Sequence, residues 1–161
     1  MPTFDQIAFN EFVIANGIVG FHNTPLTLKS GRKSHFYVNW RRATNDAYLL
    51  DTLTDHIVDY IASWGVPCAT IYGVPEGATK TAVIAGLKWA KRDPNIAVGS
   101  HRLAMGRAKP KAHGNPEDRD FIGMPAGPTV VIEDTATTGG SLITTLEQLK
   151  SLGVTVAGEL T

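Results

Sequence analysis

Segments with helical spacing alternate along this chain with short apolar runs, which predicts an α/β fold, a mainly parallel sheet flanked by helices. Two stretches carry the prediction. Residues 44–64 place Leu49, Leu50, Leu53, Ile57, Val58 and Ile61 on one helical face, and Gly65 ends the pattern. Thr129-Val130-Val131-Ile132 is apolar and mostly β-branched, and reads as a buried parallel strand. Glu133 and Asp134 follow at its C-terminal end, where open α/β sheets bind their ligands.

The other elements fall between these two. Ile7, Phe9, Phe12, Val13 and Ile14 have helical spacing, and Asn16-Gly17 supplies a stop. Residues 26–39 read as two short strands around the turn at 29–33, because apolar and polar side chains alternate from His35 to Asn39. A strand is expected at 69–72 and a helix from the turn at 73–77 to about Lys91. Another strand is expected somewhere within 96–107. Residues 106–128 are rich in Gly, Pro and charge and poor in apolar residues, the composition of a mobile loop. A helix beginning near Ser141 and a strand at 154–161 complete the alternation.

The 161 residues suit one domain, with a hood of about residues 1–42 and a core of about 43–161. A hydrophobic content of 43% is ordinary for a globular protein, and no window reaches the apolar length of a membrane span. The first residues lack the basic and apolar regions of a signal peptide, so the cytoplasm is the expected compartment. Zero formal charge argues against a nucleic-acid binder held by phosphate contacts. Cys68 is alone, which excludes a disulfide framework and suggests a buried, inert thiol. His22, His35, His56 and His101 show no metal-ligand spacing and read as surface or packing residues.

The stretch 133–141 has the composition of a phosphosugar site. Thr135, Thr137 and Thr138 offer hydroxyls, and Ala136 is small. Gly139 and Gly140 let backbone N–H groups approach a ligand, and the helix starting near Ser141 directs its positive end at the loop. Adjacent carboxylates on a strand face opposite ways, so Glu133 and Asp134 suit vicinal ribose hydroxyls better than a facing acid/base pair. A capped turn with a tight glycine connection is the plainer alternative for any isolated piece of this string.

Taken whole, residues 129–141 closely resemble the signature of type I phosphoribosyltransferases, in which hydrophobic residues precede Glu-Asp and a Thr-Gly-rich loop. The resemblance implies that fold, with an N-terminal hood and a mobile loop. It also implies that Glu133 and Asp134 hold the ribose hydroxyls while residues 135–141 wrap the 5′-phosphate of phosphoribosyl diphosphate.

Two further strings narrow the family. Leu28-Lys29-Ser30-Gly31-Arg32-Lys33-Ser34 gathers cations around a Gly turn, which is ordinarily a solvated basic turn. Followed by an aromatic strand and Asn39, it resembles the hood of orotate phosphoribosyltransferases. By that likeness Lys29 reaches the pyrimidine or diphosphate end of the site, and Phe36 and Tyr37 help to enclose the base. In residues 107–114, Arg107, Lys111, His113 and Gly114 fall on the family's mobile catalytic loop. Ala108 departs from its Arg-Lys pair, and Lys109 stands one residue later. In the family this loop reaches across a dimer, so a homodimer is implied.

After the second core strand the family's bacterial members often carry Tyr-Lys where this chain has Glu76 and Gly77. Lys80 is the candidate to take over that diphosphate contact, together with backbone N–H groups of residues 74–78. Lys80-Thr81 does not make a Walker loop, because no Gly immediately precedes the lysine.

The implied reaction joins orotate to phosphoribosyl diphosphate, giving orotidine 5′-phosphate and diphosphate, a step of pyrimidine nucleotide synthesis toward UMP. Arg107, Lys109 and Lys111 would offset charge on the leaving diphosphate, with Lys111 or His113 as proton donor and Asp134 at the sugar. No side chain is expected to ligate a metal directly. Mg2+ would arrive with the diphosphate, and Asp134 is the candidate to reach it through water. Family members usually continue past the last strand with an Arg-bearing segment, so the core is short at its C-terminus by comparison. Two alternatives remain: a phosphoribosyltransferase for another nucleobase, which would not need Lys29, and a non-catalytic phosphoribosyl diphosphate sensor, which would lose the loop cations.

Overall fold

The computed structural model describes residues 3–28, 30–115 and 118–161. The first helix, α1 (Gln6–Ala15), starts where the Asp5 carboxylate accepts hydrogen bonds from the N–H groups of Ile7 and Ala8. It ends at Asn16, and Gly17 follows at φ 58°. Glycine is favoured there because that φ is left-handed, a conformation that residues with a Cβ rarely adopt.

An antiparallel hairpin of β1 (Val19–Thr27) and β2 (Lys33–Val38) comes next. Its first strand begins well before the expected residue 26, and its register shifts between Phe21 and Leu26. The polar run His22-Asn23-Thr24 and then Pro25 conceal it, since a largely exposed two-stranded ribbon needs no apolar alternation and tolerates Pro at an irregularity. The helix expected over 44–64 is α3 (Ala47–Ser63), and a short helix α2 (Arg41–Thr44) that the spacing did not predict precedes it. Asp46 starts α3 by capping it, its carboxylate accepting from Leu49 N–H at 2.9 Å.

The core then alternates: β3 (Thr70–Gly73), α4 (Thr79–Arg92), β4 (Arg102–Leu103), β5 (Met105–Gly106), β6 (Phe121–Ile122), β7 (Thr129–Ile132), α5 (Gly140–Ser151) and β8 (Val156–Leu160). The main sheet is parallel throughout, in the order β4-β3-β7-β8. The region 96–107 supplies the short edge strand β4 and also β5, which pairs with β6 in a separate antiparallel arm.

Every residue of β3 and β7 is buried, as expected for central strands covered on both faces. Their side chains divide by period two. Ile71, Val130 and Ile132 pack against Val13 of α1, Leu53, Ile57, Val58 and Ile61 of α3, and Ala82 and Ala85 of α4. Tyr72 and Val131 face the other way, onto Ala104, Phe121, Leu142 and Leu149. A charge ladder joins α3 to α4: Lys88 Nζ lies 2.8 Å from carboxylate oxygens of both Asp51 and Asp55, and Arg92 lies 2.6 Å from Asp59. The four-residue spacing puts each set on one helical face.

Burial pushes the Tyr72 hydroxyl up to about 12 and the Cys68 thiol up to about 11, which leaves Cys68 a poor nucleophile, in keeping with an inert role. His56 packs against the rings of Phe9 and Phe12, each 5.6 Å away. Among the described residues no helix is long and apolar enough to cross a membrane.

These contacts rank the elements energetically. Ile61→Ala, at a fully buried position on α3, is expected to cost about 2 to 5 kcal/mol. Asp46→Ala should cost about 1 kcal/mol through loss of the cap, and Ile14→Ala on the exposed side of α1 should stay within about 0.5 kcal/mol. Urea unfolding of the three variants checks the order, and an Asp46→Ala loss as large as that of Ile61→Ala would contradict it.

Candidate active site

Strands β3 and β7 run in register to their ends, with Gly73 opposite Ile132. Backbone bonds extend the alignment past the ladder: Val74 N–H donates to Ile132 O at 2.8 Å, and Glu133 N–H donates to Leu160 O at 2.9 Å. The loops 74–78 and 133–139 therefore leave the sheet side by side. Glu133 is buried and Asp134 half-buried. Both border a single cavity of about 280 Å³ that Ala78, Thr81, Trp40 and Phe9 also line. Strand β7 stops at Ile132, so the two carboxylates stand just past the regular strand.

Beyond the carboxylates, Thr135, Ala136, Thr137 and Thr138 are exposed, so the loop is open to a ligand. Gly139 takes φ 73° at the N-cap position of α5, and no side chain caps that helix. Helix α4 begins at Ala78, again without a side-chain cap. By contrast, α1 and α3 are capped by Asp5 and Asp46. The two helices that start beside Glu133 and Asp134 thus keep their first-turn N–H groups free of side-chain caps, the arrangement that suits phosphate oxygens.

The loop after β3 lies against Asp134: a Cβ on Gly77 would stand 2.5 Å from the Asp134 carboxyl carbon and from both its oxygens. The Pro75–Glu76 peptide in this loop is cis. Lys80 points elsewhere, its ammonium donating to the Thr44 carbonyl at 2.7 Å, so it ties α4 to the end of α2. That contact speaks against Lys80 as the replacement diphosphate ligand.

The β1–β2 hairpin and the lid do not line this cavity. Lys29 lies outside the described residues. Phe36 is 44% exposed and pairs with Phe21, 81% exposed, at 5.5 Å between ring centres. Tyr37 meets the His22 ring at 6.3 Å, and His35 Nδ1 lies 2.8 Å from the His22 carbonyl. In the lid, Arg107 N–H donates to Asp120 O, its Nε–H donates to Asp118 O at 3.0 Å, and Lys111 N–H donates to Arg119 O. The segment thus folds back as a continuation of the β5–β6 arm. The Lys111 ammonium turns over Gly114, 3.1 Å from where a Cβ would stand. His113 is exposed. Arg107 and Lys109 border an open groove of about 790 Å³ beside Glu76 and Lys80, and none of the residues lining it lines the Glu133 cavity.

One chain therefore sets the Asp134 carboxylate against the loop after β3 and sets Arg107 and Lys109 beside Glu76 of the same loop, while Phe36 and Tyr37 line neither the cavity nor the groove. Sequence reasoning missed Trp40 and Phe9 as walls of the cavity, since helical spacing marks a core face and not what the face encloses. It also missed the closeness of Gly77 to Asp134, for which no sequence signal exists. Among the described residues no cluster of three or more His, Cys, Asp and Glu could hold a metal. Glu133 and Asp134 offer carboxylate oxygen at an accessible cavity, a donor set suited to a hard cation that keeps most of its waters and shares substrate phosphates.

No protein-family model matches the chain. It is 35% identical over 156 residues to the orotate phosphoribosyltransferase of Rhodopseudomonas palustris strain TIE-1, an alignment covering 88% of this chain and 74% of that protein. The crystal structure of Mycobacterium tuberculosis H37Rv orotate phosphoribosyltransferase in complex with Fe(III) dicitrate superposes with a TM-score of 0.66 at 26% identity. The match covers 92% of this chain and 79% of that one. The Francisella tularensis orotate phosphoribosyltransferase shares the fold with a TM-score of 0.70 at 24% identity, over 96% of this chain and 70% of its own. With the carboxylate pair and Thr-Gly loop in place on that fold, the chain belongs to the orotate phosphoribosyltransferase family.

Proposed function

We propose that this protein transfers the phosphoribosyl group of phosphoribosyl diphosphate to orotate, giving orotidine 5′-phosphate and diphosphate. The observation that carries the reading is the pair Glu133 and Asp134 beside an open Thr-Gly loop at the uncapped start of α5. Glu133 and Asp134 hold the ribose hydroxyls. Residues 135–141 take the 5′-phosphate through hydroxyls and N–H groups, and the N–H groups of Glu76 and Gly77 face the diphosphate. Mg2+ bound with the substrate neutralises diphosphate charge, and Asp134 is the residue to reach its waters.

The sugar gains positive charge as the glycosidic bond to diphosphate breaks, while the leaving diphosphate gains negative charge. Arg107, Lys109 and Lys111 stabilise the leaving group, and Lys111 or His113 supplies a proton to it. Lys29 meets the orotate carboxylate, with Phe36 and Tyr37 against the base. In the family this loop reaches across a dimer, and a homodimer belongs to the same reading. The cytoplasm, where nucleotide precursors are made, belongs to the same reading.

Asp134→Asn is expected to weaken phosphoribosyl diphosphate binding in the presence of Mg2+ by about 1.5 to 3 kcal/mol, roughly one to two powers of ten. Calorimetry giving equal affinities would reject the ribose assignment. Lys111→Ala should lower kcat while leaving the melting temperature nearly unchanged, since the lid buries few apolar side chains. A large loss of thermal stability at unchanged kcat would make the segment structural. Diphosphate release assayed with orotate, uracil, adenine and hypoxanthine should favour orotate, and Lys29→Ala should remove the preference. Preference for a purine would assign the site to another base.

A further inference from the structure

We infer that Gly106 is a positioning residue for the lid: it seats the stem of the β5–β6 arm against Tyr72 and Pro75, and so sets where the cations beyond it stand. The inference rests on the assignment of Arg107, Lys109 and Lys111 to the leaving diphosphate. Gly106 is not among the glycines with positive φ, so its backbone is one that alanine adopts without strain. The neighbours are what call for glycine. A Cβ at 106 would run into the Tyr72 hydroxyl, and would stand 2.7 Å from Pro75 Cγ and 3.1 Å from Tyr72 Cζ.

Neither wall of this seat can rotate aside. Tyr72 is 1% exposed, its ring lies 6.0 Å from that of Phe121, and Ala104, Val131, Leu142 and Leu149 belong to the same buried cluster. Its backbone is fixed opposite Val131 in the β3–β7 ladder. A ring packed at interior density changes rotamer only when its neighbours move. Pro75 is closed on its own backbone, and Val74 before it is held by its N–H to Ile132 O at 2.8 Å. The arm is the weaker side, because β5 and β6 pair through two residues each, Met105 with Ile122 and Gly106 with Phe121. A side chain at 106 is therefore relieved by moving β5 away from β3. That displacement passes to the cations, since Arg107 N–H to Asp120 O and Lys111 N–H to Arg119 O make their segment a continuation of the arm. Gly106 lines the groove with Arg107, Lys109 and Glu76, and neither it nor Tyr72 lines the cavity of Glu133 and Asp134. The seat thus acts on the diphosphate end of the site and leaves the ribose end alone.

Two probes separate this role from a general loss of structure: inorganic diphosphate with Mg2+, which uses the lid, and ribose 5-phosphate, which uses the carboxylates and the Thr-Gly loop. Gly106→Ala is expected to lower kcat and calorimetric diphosphate affinity by about tenfold or more, since misplacing a group by about 1 Å can cost about a hundredfold. Ribose 5-phosphate should bind as it does to wild type. Tyr72→Phe removes the nearest wall atom, so Tyr72→Phe/Gly106→Ala should recover part of both losses, and a crystal structure of Gly106→Ala should show β5 displaced from β3. Unchanged kcat and diphosphate affinity, an equal loss for ribose 5-phosphate, no recovery in the double variant, or an unmoved β5 would each overturn the positioning role. Wild-type kcat and diphosphate affinity in Arg107→Ala/Lys109→Ala would instead overturn the assignment of the lid to the leaving group, on which the role rests. Should Gly106→Ala fail to fold, the double variant takes its place in both assays, and a double variant that also fails overturns the inference.

Discussion

The parallel pairing of β3 with β7 is the constraint on which the rest of this molecule depends. It aligns Gly73 with Ile132, and two further backbone bonds carry the alignment into the loops, from Val74 to Ile132 and from Glu133 to Leu160. Both strands are buried along their whole length, so a one-residue slip would exchange the faces that pack against α3 and against α5. Register is therefore specified by the core, and the position of Glu133 and Asp134 relative to the loop after β3 follows from register. An active site assembled in this way needs no hydrogen bond of its own to hold its loops together.

Helix ends divide by purpose. Asp5 and Asp46 close the N-termini of α1 and α3. Helices α4 and α5 start at Ala78 and Gly139, with no side chain on their first-turn N–H groups. A cap contributes about 1 kcal/mol to a helix, so leaving two long helices uncapped is a cost to stability. The donors thereby remain for a phosphorylated ligand, and the charge ladder between α3 and α4 together with the small-residue face of Ala82 and Ala85 holds α4 in place without a cap.

Exposure separates the parts that bind from the parts that would close. The β1–β2 hairpin leaves Phe21 and Phe36 in solvent, and the β5–β6 arm extends from the sheet as its own small unit. Large rings are thus paired in solvent on the ribbon, while the buried Glu133 and half-buried Asp134 border an enclosed cavity.

Much was legible in the residues alone. The alternation of elements, the buried run 129–132 and the carboxylate, threonine and glycine order after it are local patterns, and local patterns survive in one dimension. So the α/β class and the family resemblance follow from sequence, and the parallel sheet and the orotate phosphoribosyltransferase relatives agree with them. Boundaries were less legible where a single side chain decided them: the Asp46 cap starts α3 at Ala47 rather than at Thr44, and the exposed β1 has no apolar alternation to read. Tertiary structure alone decided that Glu133 and Asp134 share a cavity, that Lys80 serves Thr44, and that Gly77 lies against Asp134. These are contacts between segments up to tens of residues apart in sequence, and they depend on where packing of the sheet brings the loops, which no residue pattern encodes.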